Sequence, residues 1–232
     1  MTPGILYVVA TPIGNLEDIT MRALRVLKEV SLVACEDTRR TRVLLTHFGI
    51  HVPVTSYFEH NKLSKGPAII RTLQEGKAVA LVTDAGTPGI SDPGFLLARQ
   101  ARAAGAPVVP VPGPSAVVTA LSSAGIPADR FVFEGFLPIK PGRRINRLKA
   151  LADLEMTIVL YESPHRIVPT LEAIAEVFGG REIVVARELT KHFEEIVSAP
   201  GGVHAERLRA GAAKGEFVVV IPGRPPTSDE RD

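Results

Sequence analysis

Apolar residues come in short, nearly unbroken runs along the first half of the chain: ILYVV (5–9), LVAC (32–35), VPVTS (52–56), AVALV (78–82) and PVVPV (107–111). Runs of this length, with little polar alternation, fit strands covered on both faces. Helical spacing fills the gaps near 20–30, 40–48, 66–75, 93–104 and 114–124. The rhythm predicts βαβ units and a mainly parallel sheet. The second half reads differently. Strand candidates near 130–136, 156–161, 182–188, 192–198 and 216–222 are separated by helices near 142–153, 164–178 and 202–213. The close pair across 182–198 predicts a hairpin and therefore a mixed sheet.

The fold class is thus α/β, with an N-terminal domain over 1–125, a C-terminal domain over 126–224 and a flexible tail over 225–232. The boundary is placed at Gly125-Ile126-Pro127. Asp92-Pro93, Gly113-Pro114 and Ser163-Pro164 each put a potential cap before a proline suited to the first helical position. Each follows an apolar run, so the loops gather at the carboxyl ends of strands, where open α/β sheets bind ligands.

Composition narrows this picture. No stretch approaches the ~20 apolar residues of a membrane-spanning helix, and the N-terminus reads as a first strand rather than a secretory signal. Cys35 is the single cysteine of the 232 residues, which excludes an intramolecular disulfide and fits a reducing cytoplasm. Basic and acidic residues number 27 and 25, a net charge of +2. A nucleic-acid partner must therefore be held by local clusters rather than by a global field.

Candidate chemistry lies in two loops, ATPIGN (10–15) and TDAGTPGISDPG (83–94). Pro88-Gly89 suits a tight turn, and Gly86 allows backbone to approach a ligand closely. Both loops are also compatible with ordinary strand-to-helix turns. Neither GxxxxGK[ST] nor GxGxxG is present, and no Lys or Arg lies between Lys77 and Arg99. Loops without cations suit a ligand with a ribose, an amide-like edge and a positive centre better than one with several phosphates. S-adenosylmethionine is one such ligand, although spacing alone does not single it out. The histidines form no ligand-spaced cluster, so no metal is expected. Cations do cluster locally, at Arg39-Arg40-Arg42 and at Lys140, Arg143, Arg144, Arg147 and Lys149. In the second cluster Ile145, Leu148 and Leu151 form an apolar stripe that leaves the arginines exposed. That face is either an RNA contact or simply solvated.

Several motifs, in order along nearly the whole chain, resemble one family. YVVATPIGNLEDIT, ACEDTRRTRVLLTHFGI, VTDAGTPGISDPG, VPVPGPSAVVTALSSAGIP, YESPHRI, ARELTK and GEFVVVI are similar to the ribosomal RNA small-subunit methyltransferase I family of the tetrapyrrole-methylase superfamily. The resemblance implies an S-adenosyl-L-methionine-dependent 2′-O-methyltransferase of a cytidine in 16S rRNA of the small ribosomal subunit. It also implies a homodimer and a cofactor cleft between two α/β domains. Pro12, Gly14, Gly86, Thr87, Pro88, Ile90, Ser115, Ala116 and Tyr161 match its cofactor-lining positions. Porphyrin-methylating relatives commonly carry Gly-Asp-Pro where Gly86-Thr87-Pro88 stands here, a departure that favours an RNA substrate.

Methyl transfer to a ribose hydroxyl needs positioning, and a base or cation to manage the hydroxyl proton. Glu188 and Lys191 in ARELTK are candidates for these catalytic roles, or form a surface ion pair. Glu36, Asp37 and Arg39 make a second candidate cluster. Arg39, Arg143, Arg144 and Arg147 are the candidate RNA contacts. Two rival readings share the pattern: a methyltransferase of a tetrapyrrole or other small molecule, and a non-enzymatic ribosome-assembly factor with a vestigial cleft.

Overall fold

The computed structural model describes residues 2–92, 94–211 and 213–225. Pro93, with the helix start expected at it, and the tail beyond residue 225 lie outside them. The chain divides into two compact units between Ser115 and Ala116.

The first unit contains strands β1 (Leu6–Val9), β2 (Leu32–Cys35), β3 (Val54–Ser56), β4 (Val79–Leu81) and β5 (Val108–Val111). All are parallel, in the order β3-β2-β4-β1-β5. Between them run α1 (Met21–Glu29), α2 (Thr38–His47), α3 (Lys62–Gln74) and α4 (Gly94–Ala103). Helices cover both faces, which explains the unbroken apolar runs. Val33 and Cys35 pack with α1 and α2, whereas Ala34 between them packs with α3 and α4. Successive strand side chains point to opposite faces, and here each face is core. Because β1 lies between β4 and β5, the loops leaving these three strands emerge side by side.

The second unit comprises α5 (Ala116–Ser123), β6 (Phe131–Phe136), α6 (Pro141–Ala152), β7 (Thr157–Glu162), α7 (Ile167–Phe178), β8 (Glu182–Arg187), β9 (Glu195–Pro200), α8 (Gly201–Ala210) and β10 (Phe217–Ile221). Its sheet runs β6-β7-β10-β8-β9 and is mixed: β6 and β7 are parallel and the other pairs antiparallel. β8 and β9 form the expected hairpin, from Arg187 opposite Glu195 to Glu182 opposite Pro200. β10 lies in the middle, with all five residues buried.

Two expectations change. The division falls ten residues before Gly125-Ile126, because α5 continues the strand–helix rhythm in sequence but packs on β10 of the second sheet. Helices α5 and α7 begin two and three residues after Pro114 and Pro164, at Ala116 and Ile167. A proline does occupy the first turn of α6, at Pro141.

His204 on α8 is fully buried and sets its Nε2 3.3 Å from the Ile183 carbonyl oxygen. Its Nδ1 has no partner among the described residues. Burial depresses its pKa below the usual value of 6.5, so the unfolded chain binds a proton that the folded one resists. Its contribution is fully present above the unfolded value and declines as pH falls through it, by up to ~1.4 kcal/mol per pH unit. Urea midpoints of the parent are expected to fall between pH 7.5 and 5.5 more than those of His204→Gln. Equal pH dependence in the two proteins would remove His204 from the acid response.

Candidate functional site

The carboxyl ends of β4, β1 and β5 are tied into one collar. Thr11 N–H donates to the Gly86 carbonyl at 2.9 Å and Gly86 N–H donates to the Thr11 carbonyl at 3.0 Å. The Thr11 hydroxyl reaches the Thr83 carbonyl at 3.1 Å. The Thr87 hydroxyl, in turn, donates to the Pro114 carbonyl at 3.1 Å. A β-carbon added to Gly113 would lie 3.1 Å from the Ala10 β-carbon, so the β5 loop rests directly on the end of β1. The loops at 10–15, 83–94 and 112–115 therefore hold one another by main-chain and hydroxyl contacts.

Local chemistry shapes each loop. Gly86 has φ of 83°, in the left-handed region that other residues adopt at a cost. Thr87 to Ile90 is a tight turn closed by a 3.4 Å bond, with Pro88 second and Gly89, φ 87°, third. Asp92 fixes its far side, accepting from Gly89 N–H at 2.8 Å and Gly94 N–H at 2.6 Å. In the first loop, Asn15 accepts from Glu17 N–H at 3.1 Å and caps a short 3-10 turn. Pro12, Gly86 and Pro88 are buried; Gly14 and Ile90 are exposed; Thr87 and Ser115 are half-buried. The structure thus brings together the first-unit residues that the motifs single out. Thr11 and Thr83, which hold the collar closed, carry no sequence signal beyond their place at strand ends.

In the second unit Ala116 opens α5 and Tyr161 stands on β7. The Tyr161 hydroxyl interacts with the main chain of Val117, and burial raises the phenol's pKa. Phe133 and Phe136 meet its ring edge-on at 4.8 and 5.9 Å.

Glu188 and Lys191 are 2.8 Å apart, and Lys191 Nζ is also 2.8 Å from Glu216. Glu188 exchanges further bonds with Glu216: its N–H donates to the Glu216 carbonyl, and its carboxylate accepts from Glu216 N–H, both at 2.9 Å. Glu188 has φ of 50° and Thr190 φ of 65°, so the bend after β8 is locally strained. Lys191 holds the Glu188 carboxyl below its ordinary range. This is the direction of an ion pair, opposite to the one that makes a carboxylate an effective base near neutral pH.

The cationic clusters separate into paired and unpaired groups. Arg144 is only 5% exposed, and its guanidinium donates to the Ile139 carbonyl at 3.0 Å and the Pro138 carbonyl at 3.4 Å. It therefore lies on the packed side of α6, not with the exposed arginines as expected. Arg147 makes two 2.6 Å bonds to Glu134. Lys140, Arg143 and Lys149 are exposed, and no ion pair involves them among the described residues. Arg39 grips Asp37 at 2.8 Å and lowers that carboxyl's pKa to about 2. The Asp37 N–H donates to Asp84 at 3.0 Å.

Residues 5–203 match the family of Tetrapyrrole (Corrin/Porphyrin) Methylases. A Pseudomonas aeruginosa protein named Ribosomal RNA small subunit methyltransferase I is 52% identical over 226 residues, covering 96% of this chain and 80% of the relative. The protein of that name from Escherichia coli O157:H7 is 50% identical, covering 95% and 78%. Among solved structures, cobalt precorrin-4 methyltransferase aligns with a TM-score of 0.71 at 19% identity, over 93% of each chain. Uroporphyrin-III-C-methyltransferase from Thermus thermophilus aligns with a TM-score of 0.66 at 23% identity, over 94% of each. At those identities the structural likeness speaks for the fold alone.

Proposed function

Since the chain belongs to the tetrapyrrole methylase family, among its ribosomal RNA small subunit methyltransferase I members, we propose that it transfers a methyl group from S-adenosyl-L-methionine to the 2′-hydroxyl of a cytidine in 16S rRNA of the small ribosomal subunit. The substrate half of this reading is carried by the high identity to relatives named for that RNA. The cofactor half is supported by the collar. Its loops offer peptide groups and hydroxyls and carry no Lys or Arg from residue 78 to 98, a composition suited to a ligand with a positive centre. The left-handed Gly86 keeps a side chain out of the loop beside Ile13.

Pro12, Gly14, Gly86, Thr87, Pro88, Ile90 and Ser115 are the first-unit residues we assign to the cofactor; Ala116 and Tyr161 keep the role the resemblance gives them. When bound, the cofactor supplies an electrophilic methyl carbon on a sulfonium. The protein's part is to hold the acceptor hydroxyl in line with that carbon and to take up its proton. A homodimer acting in the cytoplasm, where ribosomal subunits are available, completes the proposal.

The test is incubation with labelled cofactor and unmethylated small subunits, followed by mapping of the label. One 2′-O-methylated cytidine in 16S rRNA is expected. Intact subunits are expected to react faster than protein-stripped 16S rRNA or a short oligonucleotide, since a net charge of +2 leaves selection to shape and local contacts. Label on a base, or none on 16S rRNA, would reject the assignment.

A further inference from the structure

A second feature lies on the β2 side of the same loop. Glu36, Tyr57, Leu81, Val82, Thr83, Asp92 and Gly94 surround a cavity of about 10 Å³, room for a single water. Tyr57 is 2% exposed, yet its hydroxyl has no hydrogen-bond partner among the described residues. A buried hydroxyl without a partner is costly, and this one belongs to a cavity lined by two carboxyl groups. Thr83 lines the cavity with both of them. Glu36 also faces outward, being exposed as a residue. It is thus the member of the group that an incoming hydroxyl can meet.

We propose that Glu36 accepts the proton of the attacking hydroxyl during methyl transfer, with Thr83, Asp92 and Tyr57 as the residues that position it; this deepens, and rests on, the function proposed above. In that step the hydroxyl O–H bond breaks and its proton passes to a Glu36 carboxylate oxygen. The hydroxyl oxygen forms a bond to the methyl carbon, and the carbon–sulfur bond breaks with its electron pair remaining on sulfur. The surroundings favour the protonated carboxyl, the direction that makes a carboxylate a stronger base. Burial raises the Glu36 pKa first, and the charges of Asp84 and Asp92 raise it further, while Thr83 and Arg40 act in the opposite sense. Asp92 is raised chiefly by burial, against the bonds it accepts from Gly94 and Gly89 N–H. The Tyr57 phenol is raised chiefly by burial, and the charges of Glu59 and Asp92 act in the same sense.

Two measurements on the full chain test this. In the cofactor-free protein with labelled carboxyl groups, infrared titration is expected to find two carboxyls protonating above the ordinary range. Glu36→Gln removes one of them. In single-turnover transfer to small subunits, Glu36→Gln is expected to lower the rate at least ~100-fold, with cofactor and subunit affinities within about twofold of the parent. Tyr57→Phe, which keeps the ring, is expected to move the acid limb of the pH–rate profile upward while retaining most of the maximal rate. The proposal fails if Glu36→Gln retains the parental rate and profile, if its loss follows lost binding, or if both carboxyls titrate in the ordinary range. A parent protein that methylated no small subunit would instead overturn the function itself, and the role of Glu36 with it.

Discussion

A Gly86→Val protein is expected to fold, yet to lose the rise in melting temperature that S-adenosyl-L-methionine gives the parent. At a ligand concentration about 100 times Kd, binding adds about 2.7 kcal/mol, or roughly 5–10 °C for a chain of this size. Valine at φ of 83° is strained by about 1–3 kcal/mol. The cheapest relief is to turn the peptide and break its paired bonds with Thr11. That displaces the loops at 10–15 and 83–94 together, since each holds the other. The cost is bearable for a protein of about 5–15 kcal/mol total stability, and the strain lies beyond the strand ends. Thermal shift assays with the cofactor, ATP and NAD decide the matter. In the parent only the first is expected to act strongly; an undiminished shift in Gly86→Val would place the ligand elsewhere.

The second large effect separates two kinds of cation on α6. Replacing Lys140, Arg143 and Lys149 together by Gln is expected to weaken binding to the small subunit and to flatten its salt dependence. The expected change is roughly one unit of slope for each phosphate that is no longer neutralised. Stability should stay within about 0.5 kcal/mol, because these are exposed positions. Arg144→Ala is expected to do the reverse. It strips the Pro138 and Ile139 carbonyls of their donor and costs about 1–3 kcal/mol, with the salt slope unchanged. Denaturant midpoints and filter binding across a salt series measure both. If the triple variant bound the subunit like the parent, the outer side of α6 would be a solvated face.

The difference between these arginines was present in the spacing. Arg144, Leu148 and Leu151 stand at i, i+4 and i+7 and all three are buried. A stripe counted from hydrophobic residues alone passes over an arginine that satisfies carbonyl oxygens. The strands were legible for the opposite reason. Val33, Ala34 and Cys35 serve two cores at once, so their run carries no polar interruption. The loops at 10–15 and 83–94 were legible from their Gly and Pro content, and their mutual bonds follow from the adjacency of β1 and β4. The unit boundary was not, because nothing local distinguishes a helix that covers its own sheet from one that covers another. Nor was the cavity: Tyr57 follows β3, Glu36 follows β2, and Thr83 and Asp92 lie on the loop after β4. Only the parallel pairing of β2 with both β3 and β4 brings them together.

The central place of β10 also has a consequence for the order in which the chain can mature. β7 and β8 take their shared neighbour from residues 217–221, well beyond the end of β8 itself. Until that segment leaves the ribosome, two apolar strand edges stand open in the nascent chain and the β8–β9 hairpin has no sheet to join. The first sheet needs nothing beyond β5 and can close early. Synthesis therefore imposes a long interval in which one half is built and the other waits for its keystone, the state in which exposed strand edges recruit chaperones or each other.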